Sequence, residues 1–306
     1  MPCRHTEDRL FYGYRLRAPL PLTSLPPLPQ AGVADITVVV GDVPPHLAAP
    51  IWSNPFIEIG EDGGVLVRLG DDVRFMVRDG RQVVINGTAT SSMGEVETLL
   101  LGTVAGVLLH QRGDLLLHAS CVVIGDRAVA IAGPSGRGKS TLAAALVAQG
   151  HAPLSDDICR VRFADGCAWA VPGSARLRLW PDAARTLGHA PETLATGRPG
   201  HPKRLLVPLL PSVAPVRLGA IIRLRIDTRL DAPRRARLSG PVAIMPAEDV
   251  LYRARLGRRL GRRIGLFQDL TRLAALVPVF SLTRTGNPTD LSELARLVIS
   301  ATTDDP

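Results

Sequence analysis

The chain has 306 residues, of which 46% are hydrophobic and 21% charged, and its formal net charge at pH 7 is +8. This length and composition are typical of a folded globular protein with one large domain or two smaller ones. The sequence has no apolar run of the roughly 20 residues that span a bilayer, no signal peptide and no cysteine pair with zinc-ligand spacing, so we expect a cytoplasmic protein without a membrane or zinc.

Residues 1–92 are predicted to form a small β-rich accessory domain. Short runs rich in β-branched residues, separated by Gly and Asp turns, occur at 35–43, 65–70, 74–80 and 82–87. The next segment, 93–111, is strongly apolar with helical spacing, and Ser92 with Glu95 forms a capping box before it. We interpret it as a helix that begins a second domain over 93–306.

The second domain is predicted to alternate strands and helices. Residues 115–132 form two strands around Gly125-Asp126, a two-residue hairpin signal, and Asp165-Gly166 marks a second hairpin. Gly, Pro and Thr make 189–204 a flexible loop. The remaining elements are a strand at 218–226, helical residues 246–276, a strand at 277–282 and a last helix at 290–300.

A complete P-loop, G-x-x-x-x-G-K-S, lies between an apolar strand and a helix that ends at Gly150. Its glycines let successive N–H groups point at phosphate oxygens, and the helix N-terminus adds partial positive charge. We predict binding of ATP and Mg²⁺, with Lys139 contacting the β- and γ-phosphates as a catalytic group and Ser140 ligating the metal. The predicted nucleotide-binding residues are Gly133, Pro134, Ser135, Gly136, Arg137, Gly138, Lys139, Ser140 and Thr141.

Two adjacent aspartates, Asp156 and Asp157, follow Lys139 by 17 and 18 residues. The gap accommodates one helix and a tight turn, which predicts that the next strand is the immediate right-handed crossover partner of the P-loop strand. Both carboxylates then emerge beside the phosphates. One can support Mg²⁺, and the other can accept a proton from an attacking hydroxyl. A solvated turn or a helix N-cap is the alternative.

His118 is the third candidate of the site. A two-residue hairpin loop at Gly125-Asp126 pairs positions whose numbers sum to 251, so His118 lies opposite Gly133. From there it can contact phosphate or tune the pKa of an aspartate. A buried histidine satisfied by the backbone is the competing interpretation.

The stretch from His118 to Asp157 resembles the HPr kinase/phosphorylase family in Leu117-His118-Ala119, in the P-loop, and in Gly150-His151 followed by Asp156-Asp157. The resemblance implies an α/β P-loop kinase domain of the HPr-kinase and phosphoenolpyruvate-carboxykinase type, which transfers a phosphoryl group from ATP to a serine hydroxyl. It further implies that His118 and Asp157 are catalytic, with Asp157 as the base, and that Asp156 supports Mg²⁺.

Downstream the chain departs from that family. The family's acidic residue before an Arg-Gly-x-Gly run is missing from Leu256–Gly265, so neither the HPr acceptor nor the phosphorylase activity nor the hexamer is carried over, and a homo-oligomer stays open. The β-rich N-terminal region, Val171-Pro172-Gly173 and Arg178–Pro181 resemble HPr-kinase-like proteins of peptide-modification pathways. These include kinases of the C-terminal serine of lasso-peptide precursors, which implies a peptide or small-protein acceptor.

Only two of the 36 basic residues are lysines, Lys139 and Lys203. Because Lys is so rare here, Lys203 is a candidate contact to the γ-phosphate or to a substrate carboxylate, although a plain surface lysine is the alternative. Arg204, with Arg176 and Arg178, is a weaker candidate for the same role. The preference for Arg over Lys also makes the net charge a poor indicator of nucleic acid.

Six arginines crowd the segment 253–263, where an acidic partner or peptide could lie, or which could be a solvated basic face. No aromatic residues interleave with them, which argues against a platform for single-stranded nucleic acid. The sequence therefore favours a serine kinase. The alternatives are a nucleotide-binding regulatory protein without catalysis and a kinase of an HPr-like protein or small molecule.

Overall fold

The computed structural model describes residues 6–30, 32–69, 73–86, 93–196, 201–207, 213–244, 247–286 and 291–302. The fold is mixed α/β with several sheets and two compact units. The first unit contains Met1–Asp114, Gly197–His201 and Arg255–Arg263, and the second unit contains the remainder. The apolar helical segment 93–111, predicted to begin the second domain, lies in the first unit.

The first unit is built on one eight-stranded sheet. Its strand order is β1-β2-β3-β8-β7-β6-β5-β4, in which the β2–β3 and β3–β8 pairs are parallel and the others antiparallel. The strands predicted at 35–43, 65–70, 74–80 and 82–87 are found as β3, β6, β7 and β8. The bounds are β1 Glu7–Phe11, β2 Tyr14–Ala18, β3 Ile36–Val40, β4 Pro50–Ser53, β5 Ile57–Gly60, β6 Val65–Leu69, β7 Val73–Arg78 and β8 Gln82–Asn86.

The apolar segment after β8 is helical, as its spacing predicts. It consists of α1 (Met93–Leu99), a π-helical stretch Leu100–Val104 and α2 (Ala105–Gln111). Every side chain from Val104 to His110 is buried, which explains its nearly continuous apolar character. The predicted N-cap Ser92 lies outside the described residues.

The second unit is built on a nine-stranded sheet with the order β12-β10-β11-β18-β14-β13-β9, and β20 pairs with both β18 and β19. A small sheet, β15-β17-β16, belongs to the same unit. The strands are β9 Leu115–Leu117, β10 Ala119–Ile124, β11 Arg127–Ala132, β12 Ala152–Ser155, β13 Cys159–Ala164, β14 Cys167–Val171, β15 Leu177–Leu179, β16 Ala195–Thr196, β17 Arg204–Leu206, β18 Val216–Ile226, β19 Arg234–Leu238 and β20 Val279–Arg284.

Helices cover both faces of the nine-stranded sheet. In β11 the alternating residues Ala128, Ala130 and Ala132 pack in one apolar cluster, and Val129 and Ile131 pack in another. The first cluster includes residues of α7, and the second includes residues of α3 and α8. The other α-helices among the described residues are α3 Lys139–Ala148, α4 Pro181–Thr186, α5 Pro241–Ile244, α6 Ala254–Arg259, α7 Arg263–Leu276 and α8 Leu291–Ser300.

Both predicted hairpins are confirmed. The β10–β11 pair runs from Ala119↔Ala132 to Ile124↔Arg127, in the register predicted from Gly125-Asp126. The β13–β14 pair closes at Ala164↔Cys167 around Asp165-Gly166.

The predicted neighbour of the P-loop strand is wrong. Strand β12 pairs with β10, antiparallel, and β10 in turn pairs with β11, antiparallel. The strand after α3 is therefore parallel to the P-loop strand but separated from it by β10, because the hairpin partner already occupies the adjacent position. The two strands still end at the same edge of the sheet, so the aspartates after β12 lie on the same edge as the P-loop.

The helical region predicted at 246–276 is interrupted. A 3-10 turn at Ala247–Asp249, α6 and α7 divide it, and Gly261 adopts a left-handed φ of 79° between the last two. This backbone conformation ends helices, and glycine adopts it without steric cost. The predicted flexible loop 189–204 contains a 3-10 turn at Pro191–Thr193 and strand β16, and residues 197–200 lie outside the described residues.

Among the described residues, the structure has no helix long and apolar enough to cross a membrane.

Candidate active site

The P-loop connects the carboxyl end of β11 to the first turn of α3. Gly133, Gly136 and Gly138 have φ angles of 141°, 80° and 98°. Residues other than glycine adopt such positive φ angles only at an energetic cost. A Cβ on Gly133 would lie 2.8 Å from the carbonyl oxygen of Leu224 in β18. Glycine at 133 is therefore required both by its own backbone and by the close approach of the neighbouring strand.

The loop is followed directly by the N-terminus of α3. The amide of Leu142 bonds to the carbonyl of Gly138 at 2.9 Å, so the helical bonding begins immediately after the loop. The first N–H groups of a helix have no partner within it and, together with the helix dipole, favour an anion at this end. Thr141 and Ser140, both half-buried, belong to this first turn.

Lys139 is 7% exposed and points its ammonium group at three acceptors. Its Nζ donates to the carbonyls of Gly133 at 2.8 Å and Pro134 at 3.2 Å, and lies 2.9 Å from Nε2 of His118. Burial lowers the pKa of Lys139 to about 8. The negative charges of Asp157 and Asp156 raise this pKa, and the positive charges of Lys203 and Arg178 lower it. The ammonium is still charged at neutral pH.

Asp156, at the end of β12, is a buried carboxylate bound by two hydroxyl groups. Oδ1 accepts from Ser120 Oγ at 2.6 Å, and Ser140 Oγ lies 3.0 and 3.1 Å from Oδ1 and Oδ2. The backbone N–H of Arg178 donates to Oδ2 at 3.1 Å. The aspartate predicted to support Mg²⁺ is thus in direct contact with the serine predicted to ligate it.

Asp157, the next residue, points its carboxylate at a different pair of groups. Oδ2 lies 2.5 Å from Nη2 of Arg178, and Oδ1 lies 3.4 Å from Nδ1 of His118. Its backbone is left-handed, with φ 71°, a conformation that Asp tolerates better than most residues. Burial raises the pKa of Asp157, but the charges of Arg178, His118 and Lys139 outweigh burial, and the pKa lies below its ordinary value.

His118 connects Lys139 with Asp157. Its Nδ1 lies 3.3 Å from the carbonyl oxygen of Asp157. Burial lowers the pKa of His118, although the negative charge of Asp157 opposes this shift. A neutral imidazole whose Nδ1–H donates to Asp157 and whose Nε2 accepts from Lys139 satisfies every contact. The register prediction that placed His118 beside Gly133 is therefore matched by a shared contact, the ammonium of Lys139.

The chain segment after α5 holds His118 in place. The backbone N–H of His118 donates to the carbonyl of Val250 at 2.7 Å, and the backbone N–H of Tyr252 donates to the carbonyl of Leu116 at 2.9 Å. The rings of His118 and Tyr252 are 5.8 Å apart. Burial raises the pKa of Tyr252, and the charge of Asp157 raises it further, so the buried phenol stays neutral beside the imidazole.

Lys203 and Arg204, the other predicted contacts to phosphate or substrate, have different surroundings. The ammonium of Lys203 lies 5.4 Å from the ring centroid of Trp180, and burial lowers the pKa of Lys203, as does the charge of Arg178. Lys203 is thus electrostatically coupled to the site. Arg204 donates to the backbone carbonyls of Pro191 and Pro202 at 3.0 and 2.9 Å, which are contacts that stabilise the chain around β17.

The oxygen ligands suit a hard divalent cation bound together with phosphate. Ser140 and Asp156 place a hydroxyl and a carboxylate side by side, and Mg²⁺ is usually held by one or two protein oxygens, waters and substrate phosphates. Among the described residues, no group of three or more His, Cys, Asp and Glu side chains could form a metal site without a ligand.

No protein-family model matches the sequence, and no curated protein matches it. Among solved structures, the chain is similar to the Hpr(Ser) kinase/phosphatase from Coxiella burnetii. The sequence identity is 17%, the TM-score is 0.33, and the match covers 61% of this chain and 93% of that chain. A similarity of this size carries no argument about activity, which depends on the side chains described above.

Sequence reasoning identified most of the cluster but missed two of its members. Tyr252 lies far from the P-loop in sequence, and Ser120, two residues after His118, forms no motif with the loop. Arg178 was only a weak candidate, although it makes the shortest contact to Asp157. The only sequence signal for Ser120 is its polar side chain within the otherwise apolar run of β10, where it is buried.

Proposed function

We propose that this protein is an ATP-dependent kinase that transfers the γ-phosphoryl group to a serine hydroxyl of a peptide or small protein. One observation carries the proposal: two adjacent aspartates serve two different sets of partners. Asp156 contacts Ser140 of the P-loop, and Asp157 contacts His118 and Arg178. Nucleotide binding needs only the first arrangement, whereas transfer to an acceptor also needs the second.

In the proposed binding step, the N–H groups of the P-loop and α3 hold the phosphates, and Lys139 neutralises their charge. Ser140 and Asp156 would hold Mg²⁺, which would shield the negative charge of the phosphates, and ATP would supply the phosphoryl group.

In the proposed transfer step, Asp157 accepts the proton of the serine hydroxyl as the serine oxygen forms a bond to the γ-phosphorus. The bond from that phosphorus to the bridging oxygen breaks, and ADP leaves with the bonding electron pair. His118 orients the Asp157 carboxylate through Nδ1. Arg178, which is charged and in contact with Asp157, can also stabilise charge on the transferred group.

The low pKa of Asp157 fits this chemistry. A carboxylate held ionised by Arg178 is available at all physiological pH values, although it is a weak base. Phosphoryl transfer proceeds through a loose transition state in which the attacking hydroxyl needs little proton removal at first, so orientation matters more than base strength. A base with a low pKa is therefore compatible with the reaction.

The acceptor that we propose is the C-terminal serine of a ribosomally made precursor peptide, as in lasso-peptide tailoring. The support is the resemblance of residues 171–173 and 178–181, and of the β-rich N-terminal region, to kinases of that kind. An HPr-like protein and a free hydroxyl-bearing small molecule are the alternative acceptors. A nucleotide-binding regulatory protein is the alternative without chemistry.

The test is incubation with ATP and Mg²⁺ and three acceptors: a peptide ending in serine, the same peptide ending in alanine, and an HPr-like protein. We expect a mass gain of one phosphate on the serine peptide alone. Asp157→Asn should reduce transfer by about 10²- to 10⁴-fold while ATP still binds in calorimetry. ATP binding without transfer to any acceptor would overturn the kinase assignment, and normal transfer by Asp157→Asn would overturn the role of Asp157.

A further inference from the structure

The first unit contains a concave surface formed almost entirely by arginine. A cavity of about 610 Å³ is lined by Trp52, Arg255, Arg258, Arg259 and Arg263, all of which belong to the first unit. We name these five residues the arginine pocket. None of them belongs to the P-loop site.

The local sequence explains how the arginines converge. Positions 255, 258 and 259 of α6 have the spacing that places side chains on one face of a helix. The left-handed turn at Gly261 then ends α6, and α7 starts at Arg263. Trp52 lies in β4, the last strand in the order of the eight-stranded sheet, and the guanidinium carbon of Arg259 is 5.7 Å from its ring centroid.

Among the described residues, no acidic side chain lines the pocket, and Arg255, Arg259 and Arg263 form no ion pair. Like charges at this spacing repel one another and destabilise a helix. Four arginines around one concavity produce a local positive potential that attracts an anionic ligand.

We propose that the arginine pocket binds a carboxylate-rich segment of the acceptor peptide, apart from the serine that receives the phosphate. The identification of the ligand as part of the acceptor rests on the proposed function. A guanidinium binds a carboxylate through two parallel N–H···O bonds, and it does so better than lysine. The cavity volume falls in the range of about 300–1,000 Å³ that is typical of ligand pockets.

A nucleic acid fits the pocket less well. Sequence-independent binding of a single strand uses a series of aromatic rings on which successive bases stack. The pocket offers a single ring, that of Trp52, and Arg259 already lies over it. A bound strand would gain phosphate contacts but no stacking series.

The test is fluorescence polarisation with fluorescein-labelled hexaglutamate as the probe, measured without nucleotide. Hexaglutamine and a labelled single-stranded dodecathymidylate serve as comparison probes. The pocket variant is Arg255→Glu with Arg259→Glu. The matched control is Arg81→Glu with Arg217→Glu, because both positions are exposed and lie outside the pocket and the change in net charge is the same.

We expect the pocket variant to weaken hexaglutamate binding at least about tenfold, and the control variant less than about threefold. Hexaglutamine should not bind. The assignment is overturned if the two variants lose affinity equally, if hexaglutamine binds like hexaglutamate, or if dodecathymidylate binds the wild type more tightly than hexaglutamate does. Because no ATP is present, failure here leaves the kinase assay intact, and failure of phosphoryl transfer leaves the binding result intact. Circular dichroism confirms that both variants are folded.

Discussion

Arg178 Nη2 lies 2.5 Å from Oδ2 of Asp157, and the backbone N–H of the same arginine lies 3.1 Å from Oδ2 of Asp156. One residue of β15 therefore contacts both adjacent aspartates, the first through its side chain and the second through its main chain. This relationship links the proposed metal ligand to the proposed base, and it makes Arg178 the residue whose replacement tests the site most directly.

Replacing Arg178 with methionine should shift the pH dependence of phosphoryl transfer. The guanidinium holds the pKa of Asp157 below its ordinary value, so its loss raises that pKa. Since Asp157 acts in its ionised form, the acid limb of the kcat/KM profile should move to higher pH. Arg178→Lys keeps a charge and should move it less. Arg185→Met, which removes an exposed arginine paired with Glu192, is the control. An acid limb unchanged in Arg178→Met would contradict the base assignment.

Replacing Lys139 with methionine should weaken ATP binding by about 10- to 100-fold, the loss of a charge-assisted bond to phosphate. Calorimetric titration measures the affinity for ATP, and we expect Lys203→Met to lose less affinity than Lys139→Met. Equal losses in the two variants would show that Lys139 has no special role.

The Lys139→Met variant should also change how the free energy of unfolding depends on pH. Burial holds the pKa of Lys139 at about 8 against 10.5 for the ordinary group, so between these values the unfolded chain binds more protons than the folded chain. The stability of the wild type relative to Lys139→Met should therefore rise from about pH 8 to about pH 10. Urea unfolding at both pH values checks this, and a constant difference would contradict the low pKa.

Alanine at Gly133 should destabilise the protein more than alanine at Gly136. Both glycines have positive φ, but only at Gly133 does a Cβ meet backbone, 2.8 Å from the carbonyl oxygen of Leu224. We expect losses in the free energy of unfolding of about 3 kcal/mol at Gly133 and about 1 kcal/mol at Gly136. Similar losses in urea titrations would mean that β18 can move away from the loop.

Replacing each of the two serines that contact Asp156 should distinguish an effect on Mg²⁺ binding from an effect on stability. Ser140→Ala should raise the Mg²⁺ concentration that gives half-maximal transfer, because it removes a proposed ligand. Ser120 is fully buried and donates to Oδ1 of Asp156 at 2.6 Å. Ser120→Ala should lower the free energy of unfolding by about 1–3 kcal/mol and change the Mg²⁺ dependence less. The reverse pattern would assign the metal contact to Ser120.

The parts of the fold that were predictable depend on local rules. The Gly125-Asp126 turn fixes the register of β10 and β11, and the register carries His118 to the P-loop. The position of β12 was not predictable in the same way. A helix returns the chain to the sheet, but whether the returning strand lies beside β11 or beyond β10 depends on which edge is already paired.

The candidate site was predictable where its residues are close in sequence. The P-loop and Asp156-Asp157 lie within one strand–helix–strand unit, and their spacing determines their meeting. Tyr252 meets His118 because the bridge Leu117↔Leu251 joins segments more than a hundred residues apart. The sequence indicates Arg178 only as one of several weaker candidates, and its contact with Asp157 becomes apparent only when β15 is placed beside that residue.

The composition of the first unit from separate stretches of chain has a consequence during synthesis. The contact between Trp52 and Arg259 joins a strand made early with a helix made late, and Arg255–Arg263 belongs to the same unit as Met1–Asp114. On the ribosome, the first unit therefore cannot be completed until the P-loop region and the segment Arg255–Arg263 have been translated. A fragment that stops at Asp114 would lack α6 and therefore part of the first unit.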